Sequence, residues 1–364
     1  MRHRCGHPLT LLGAVLLVAS LTGLIAAGAA AAAAKSPAAY QWFYGDMHAH
    51  TSVSDGMGTP AGAFASAKAA GMDFFMLTDH RRSIKASSWA ETRAAADAAT
   101  GPAFVAVAAY ELNNWYQHVN AYNVAELMPW REVDTSRKAP GIAFVDPLLA
   151  YAGAIGSFNH PTWSGGTNFD DFVGRTPERD AVMSTVEVYN WGDGWDATFC
   201  PDSYPLCLDA GWHVMPSAVS DAHEVDWDAV AVPYEFRTVL LAPALTRADL
   251  FVALRANRGY ATLDGDLRVS FTVDGAVMGS TLSPRTRYTV AATVSDPDVL
   301  VAGDRVTRLD LVSDGGAVVA SKAVNAHSVS WSLPVTSATA RYYFLRVTTG
   351  DGVTAWTAPV WTGR

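Results

Sequence analysis

From Gln41 to about Asp264, short apolar runs alternate with segments of helical spacing. The runs WFYGDMHAH, MDFFMLTDH, AFVAVAAYEL, HVNAYNV, AIGSFNHP, STVEVYN, HVMPSAVSD and FRTVLLAP are predicted strands. Between several of them, PAGAFASAKAAG, SSWAETRAAADAA and TRADLFVALRANRG carry helical spacing. Repeated strand–helix alternation argues for a parallel α/β arrangement, and this many units suggests a barrel over 41–265. Beyond about Leu267 the period changes to two. LRVSFTVDG, RYTVAATVSD, VTRLDLVSDGG, SVSWSLPV, ARYYFLRVTTGDG and AWTAPVW alternate apolar and polar residues, with DG, DGG and TGDG as turn signals. That pattern predicts a small antiparallel β-sandwich, Ig-like in size, over 267–364.

The N-terminus reads differently from both. Arg2 and Arg4 precede an almost uninterrupted apolar run from Leu9 to Ala34 that ends in small residues. This is the order of a secretory signal peptide, 1–34, with cleavage near Ala34 and an exported product, secreted or periplasmic. The run is also long enough to span a bilayer, but no positive stop-transfer cluster follows it. Past it only Cys200 and Cys207 remain, in the turn-rich loop FCPDSYPLCL, and an exported chain is expected to join them as a disulfide.

Charge narrows the partners. Without Arg2 and Arg4 the chain holds 24 basic residues (26 less two) against 35 acidic ones, a net of −11. A protein gripping polymeric nucleic acid through its phosphates normally shows a basic stripe, and none is visible. A small-molecule substrate is expected instead, with no membrane contact after cleavage. If that substrate is anionic, bound metal must supply most of the local positive charge.

The histidines say where. GDMHAHTSVSDG holds His48, His50 and Asp55, and FFMLTDH ends in Asp79 and His80. Residues two apart on a strand point the same way, so His48 and His50 can grip one cation. His118, His160 and His223 also stand at the ends or starts of strand-like runs, and only His213 and His327 of the later histidines lack such a context. Glu111 and Asp221 accompany them. The C-terminal ends of strands carry the active site in α/β barrels. Mixed nitrogen and carboxylate donors suit manganese, iron or zinc better than calcium.

Taken in order, HAH, SDG, TDH, the glutamate of YEL, HVN, NHP, EVYN and SDAH resemble the PHP superfamily, named for polymerase and histidinol phosphatase. The likeness runs from Tyr44 to Thr262 and is nearest the stand-alone hydrolases resembling carbaryl hydrolase. It implies a distorted (β/α)7 barrel with two or three divalent metals. On that pattern His48, His50 and Asp221 hold a first metal, and Glu111 bridges it to a second completed by His118 and His160. Asp55, His80 and His223 form the third site. Some members have histidine in place of Asp55, which leaves two-metal function open.

The resemblance implies hydrolysis by a metal-bridging hydroxide, of a small phosphate mono- or diester first. A carbamate or amide ester is the alternative, and a metal-dependent binding protein a third reading. Glu111, His80, His223 and Arg81 are the candidate catalytic residues, with His80 or His223 as possible proton donors. Arg81, Arg82 and Lys85 in DHRRSIK lie beside the proposed centre, and arginine forks match phosphate or carboxylate oxygens; a solvated loop explains them equally. Glu187 and Asn190 fall on the same rim, Glu187 as a partner for a ligand histidine or a substrate contact. Trp115, Trp163, Trp191 and Trp195 crowd these loops, and Trp163 and Trp191 are expected to line a pocket.

Overall fold

The computed structural model describes residues 40–114, 117–129, 141–162, 168–191, 198–224, 235–352 and 354–363. The leader and Trp115, Trp163 and Trp195 lie outside the described residues. The N-terminal strands are β1 (Gln41–Asp46), β2 (Phe74–Leu77), β3 (Val105–Ala108), β4 (Tyr110–Asn113), β5 (His118–Tyr122), β6 (Ile155–Phe158), β7 (Met183–Asn190), β8 (Thr198–Phe199), β9 (Met215–Val219), β10 (Arg237–Ala242) and β11 (Gly259–Thr262). Between them run the helices α1 (Pro60–Ala69), α2 (Ala86–Ala99), α3 (Asn168–Asp171), α4 (Pro177–Val182), α5 (Ser203–Asp209) and α6 (Arg247–Arg255). The remainder is all strand: β12 (Arg268–Val273), β13 (Ala276–Val277), β14 (Arg287–Ser295), β15 (Val306–Ser313), β16 (Ala317–Ala326), β17 (Ser328–Thr336), β18 (Tyr342–Thr349), β19 (Thr354–Thr357) and β20 (Val360–Trp361).

Local chemistry explains the helix starts. Thr59 accepts the Gly62 N–H ahead of Pro60, and Thr246 accepts the Asp249 N–H. Each satisfies one of the donors that a helix N-terminus leaves open. The strands β2 and β3 are buried along most of their length, as their unbroken apolar sequence requires.

The strands form three sheets. One runs β16-β15-β18-β19-β11-β10-β1-β2-β3, with β20 on β18; a second is β13-β12-β14-β17; a third is β4-β5-β6-β7-β8, with β9 on β7. Among the described residues these ladders do not close into the barrel expected from the sequence, and they are mixed rather than all parallel. The reason lies at the seams. The run AFVAVAAYEL breaks at Ala109 and passes from the first sheet, as β3, into the third, as β4. There the pairing to the β2 side thins to single hydrogen bonds: Ala109 N–H to Leu77 O, Glu111 N–H to Asp79 O and Arg81 N–H to Glu111 O. At the other seam one isolated bridge joins Ala49 to Ala222. Residues of the histidine motifs occupy both seams.

The C-terminal strands continue the first sheet directly, since β19 pairs with β11. Against that limb packs the four-stranded sheet, and one apolar cluster runs from Phe74 and Leu240 through Val269 and Phe271 to Leu309 and Leu345. A second cluster sits under the third sheet. Trp212 is its anchor, fully buried, with Nε1–H donated to Phe172 O at 2.8 Å and its ring edge-on to Phe158. Trp212→Ala should cost about 3–5 kcal/mol, the usual loss for a buried large aromatic. Urea unfolding reads this, and a loss below about 1 kcal/mol would mean the cluster closes over the cavity.

The expected disulfide is not formed. Cys207 faces the core from α5, and Cys200 stands before that helix with Sγ 2.6 Å from Thr162 Oγ1. Both sulfurs are buried, and burial pushes the Cys207 thiol well above the usual range.

Candidate metal centre

The loop after β1 builds one wall. Ala49 packs into an apolar cluster with Phe64 and Phe75, so His48 and His50, one residue to either side, face the opposite way. His50 N–H donates to Ala222 O and Asp221 N–H to His48 O, which lays HAH against SDAH. The opposite wall is the β4–β5 hairpin. Because β5 runs antiparallel to β4 and β6, its first residue, His118, sits at the same edge as their ends. His80 follows β2, His160 follows β6 and Asp221 follows β9.

At the centre stands Glu111, fully buried. Its carboxylate lies 3.3 Å from His48 Nε2, 3.7 Å from His50 Nε2, 2.7 Å from His80 Nδ1, 3.0 Å from His118 Nδ1 and 3.5 Å from His160 Nε2. Asp221 Oδ1 is 3.2 Å from His48 Nε2 and 3.0 Å from His50 Nε2. Asp55 Oδ2 is 3.1 Å from His80 Nε2, and Asp55 Oδ1 is 3.7 Å from His223 Nε2. The side chains fall into three overlapping groups with metal-ligating reach: His48, His50 and Glu111; Glu111, His118 and His160; His50, Asp55, His80 and His223. Every candidate metal ligand named from the sequence is thus in one cluster.

Glu111 Oε2 and Asp221 Oδ1 are buried and receive no hydrogen bond. A native fold rarely leaves such oxygens without a partner. With imidazoles on every side, the donor set fits divalent cations of intermediate softness.

Charge in the cluster follows from burial and proximity. Burial alone would strip the proton from His48, but Asp221, Glu187 and Glu111 outweigh it and raise the ring well above its ordinary value. His80 is pushed up to about 10, where burial opposes and the Glu111 and Asp55 carboxylates prevail. Conversely, burial would protonate Glu111, yet His118, His48 and His80 hold it well below the usual range. Burial lowers His50 and His118.

A ring of polar groups fixes these ligands. Glu187 Oε1 is 2.8 Å from His48 Nδ1, which leaves Nε2 of that ring facing Glu111 and Asp221. Its other oxygen accepts from His160 N–H and from Asn190 Nδ2, and Asn190 also reaches Asp221 Oδ2. Asn159 Nδ2 donates to Glu111 Oε1 at 2.8 Å. Asp79 accepts from Thr51 and Ser54, pinning the loop that carries Asp55. Asp46 accepts from His48 N–H and from Ser220, so it ties the two motif loops together; burial raises it to about 6. His160 and Asp221 have positive φ, a strained setting that pre-orients both side chains.

Sequence reasoning did not single out Asp46, Asp79 and Asn159 for these supporting roles, although each adjoins a motif histidine. The usable signal was alternation: a polar residue beside a ligand on a buried strand end must find its own partner. Glu187→Gln should weaken metal binding about 10- to 100-fold with the fold retained. Competition against a chromophoric chelator measures this, and unchanged affinity would remove Glu187 from the orienting role.

Other named residues fall elsewhere. Arg81 points away from the cluster, with Nη1 donated to Ile84 O beside Tyr110 and Tyr151. Arg82 is exposed, and Lys85 stands at the N-cap of α2. Trp191 is half-buried against Phe236.

No family model matches the chain, and no curated protein does. Among solved structures it is similar to a two-domain protein from Bacteroides vulgatus ATCC 8482 containing a PHP-like metal-dependent phosphoesterase assigned by prediction. That match has 16% identity and a TM-score of 0.49, covering 88% of this chain and 96% of that one. It is also similar to a protein from Bifidobacterium adolescentis ATCC 15703 assigned as a metal-dependent phosphoesterase, at 14% identity and a TM-score of 0.30, covering 49% and 87%. An amidohydrolase from Chromobacterium violaceum with bound sulfate and no metal matches at 16% identity and a TM-score of 0.33, covering 50% and 87%.

Proposed function

We propose that this chain is an exported metal-dependent hydrolase of the PHP superfamily that cleaves a small phosphate mono- or diester. The observation that carries the reading is Glu111, a fully buried carboxylate in contact with five imidazoles and with one oxygen that no hydrogen bond satisfies. In this reading His48, His50 and Asp221 hold one divalent metal, Glu111 joins it to a second held with His118 and His160, and Asp55, His80 and His223 hold a third. Manganese, iron or zinc suits these donors. The strands β1, β2, β3–β4, β5, β6, β7 and β9, joined at their seams by single bridges, are read as the distorted (β/α)7 barrel.

Bound at these positions, the metals would supply Lewis acidity and lower the pKa of water at the site. The protein's own part is placement. Glu187 and Asn190 orient His48 and Asp221, and Asn159 orients Glu111. Asp55 and His223 have the most exposed side chains of the cluster, 48% and 31%, so they mark the side from which substrate enters. His80 stands between that mouth and Glu111. Its Nε2, 3.1 Å from Asp55 Oδ2, faces that mouth, where a ring outside the metal shell would hold a proton near the leaving oxygen. Arg81, facing away, takes no part in binding the substrate.

Export rests on the sequence of residues 1–34, and a small substrate on the absence of a basic stripe. Turnover of matched aryl phosphate monoester, phosphodiester and carbamate substrates by the manganese-loaded protein tests the reading. Phosphate ester cleavage supports it, cleavage of the carbamate alone replaces it with the carbonyl-ester activity, and silence with metal bound favours a binding protein.

A further inference from the structure

A second group of carboxylates stands where β11 gives way to β12. Asp264 and Asp266 lie on that connection, and Asp296 follows the end of β14, which pairs with β12 through Arg268 and Ser295. One carboxylate oxygen from each of the three lies within 4.8 Å of the others. Clustered acids alone would mean little. The telling residue is Asp296, only 3% exposed. Its Oδ1 accepts the Asp298 N–H at 2.8 Å, while Oδ2 is buried and receives no hydrogen bond. Its carboxyl meets that of Asp264 rather than a donor. Asp298 and Asp351 add further negative charge around Asp304 beside it, and the Arg268 guanidinium offsets part of it at Asp266.

We propose that Asp264, Asp266 and Asp296 form a second metal site, separate from the histidine centre, that takes a hard divalent cation, Ca²⁺ in preference to a transition metal. All three donors are carboxylate oxygens, and no imidazole or thiolate belongs to the group. A cation there fills the missing contact of Asp296 Oδ2 and cancels the repulsion. It also clamps the β11–β12 connection to the end of β14, where the chain passes into its C-terminal strands. Few protein ligands and partial exposure place the expected Kd at about 0.1–1 mM, the range of extracellular modules. The rival occupant is a proton: burial, then neighbouring acids, raise Asp296 to about 7 and Asp266 to about 6.

The test is a Ca²⁺ titration of the manganese-loaded, full mature chain at pH 8, by calorimetry and thermal melting. Saturable binding with a rise of a few degrees in Tm is expected. Asp264→Asn and Asp266→Asn should each weaken binding at least about tenfold and erase the Tm rise, with manganese content unchanged. Glu111→Gln should keep the Ca²⁺ response, so this outcome stands apart from the hydrolase reading. No response up to about 10 mM Ca²⁺, above the usual range for such modules, overturns the proposal in favour of the proton. A response that survives in both aspartate variants, or vanishes in Glu111→Gln, places Ca²⁺ elsewhere and overturns it as well.

Discussion

Glu111→Gln is expected to lower hydrolysis by about three orders of magnitude or more, about 4 kcal/mol of lost transition-state stabilisation, while the protein stays folded. The amide keeps the shape of the carboxylate and the oxygen that accepts from Asn159. It loses the charge that five imidazoles surround and puts an NH₂ where an oxygen without a hydrogen bond stood. An NH₂ group cannot ligate a cation. Since the first two metal groups both include Glu111, one substitution should weaken both. Turnover on whichever ester the wild type cleaves, with metal content measured on the same sample, reads the effect. A rate within tenfold of wild type at full metal content would show that Glu111 does not join the metals.

The parts of this site that were legible in the sequence share one property: they sit at strand ends in short, strongly patterned runs. HAH after β1, TDH after β2 and SDAH after β9 each follow a buried apolar strand, so the ligands' side of the sheet could be read from period two alone. His118 was legible as a strand start, but its wall was not. Only the antiparallel course of β5 brings a strand start to the edge where the others end, and direction leaves no mark in composition. Barrel closure was over-read for a similar reason, because alternating strands and helices do not say that Ala109 will hand one run to two sheets. β16 escaped notice because it is an edge strand with little buried surface, so selection for alternation is weak there. The disulfide was inferred from compartment and spacing, yet Cys207 is held inward by its helix, a tertiary constraint that spacing does not carry. Arg81 illustrates the same limit: adjacency to His80 in sequence puts it on the opposite side.

The cluster's protonation leads to the second large effect: complete metal loading should tighten at least about tenfold per unit rise in pH between 6.5 and 8.5. In the metal-free protein His80 is raised to about 10 and so holds a proton through this range, and, against burial, the neighbouring carboxylates raise His48 and His160 as well. A metal ligand must be deprotonated, hence His80 releases one proton on loading, which contributes about tenfold per pH unit. The stability of the metal-free fold moves the other way. Raised histidines contribute fully below their unfolded value of about 6.5 and lose that contribution as pH climbs through the folded value. Glu111, Asp221 and Asp55 are depressed, so they stabilise above about 4 and fail as acid protonates them. Lowered His50 and His118 act the opposite way below about 6.5, so the clear expectation lies above it: the Tm of the metal-free protein should fall as pH climbs, and the Tm gained by adding metal should grow. Chelator competition at pH 6.5, 7.5 and 8.5, alongside melts with and without metal, measures both slopes. Affinity that stays flat across those two units would mean the imidazoles are already neutral, and that the carboxylates around them do not hold the charge this geometry requires.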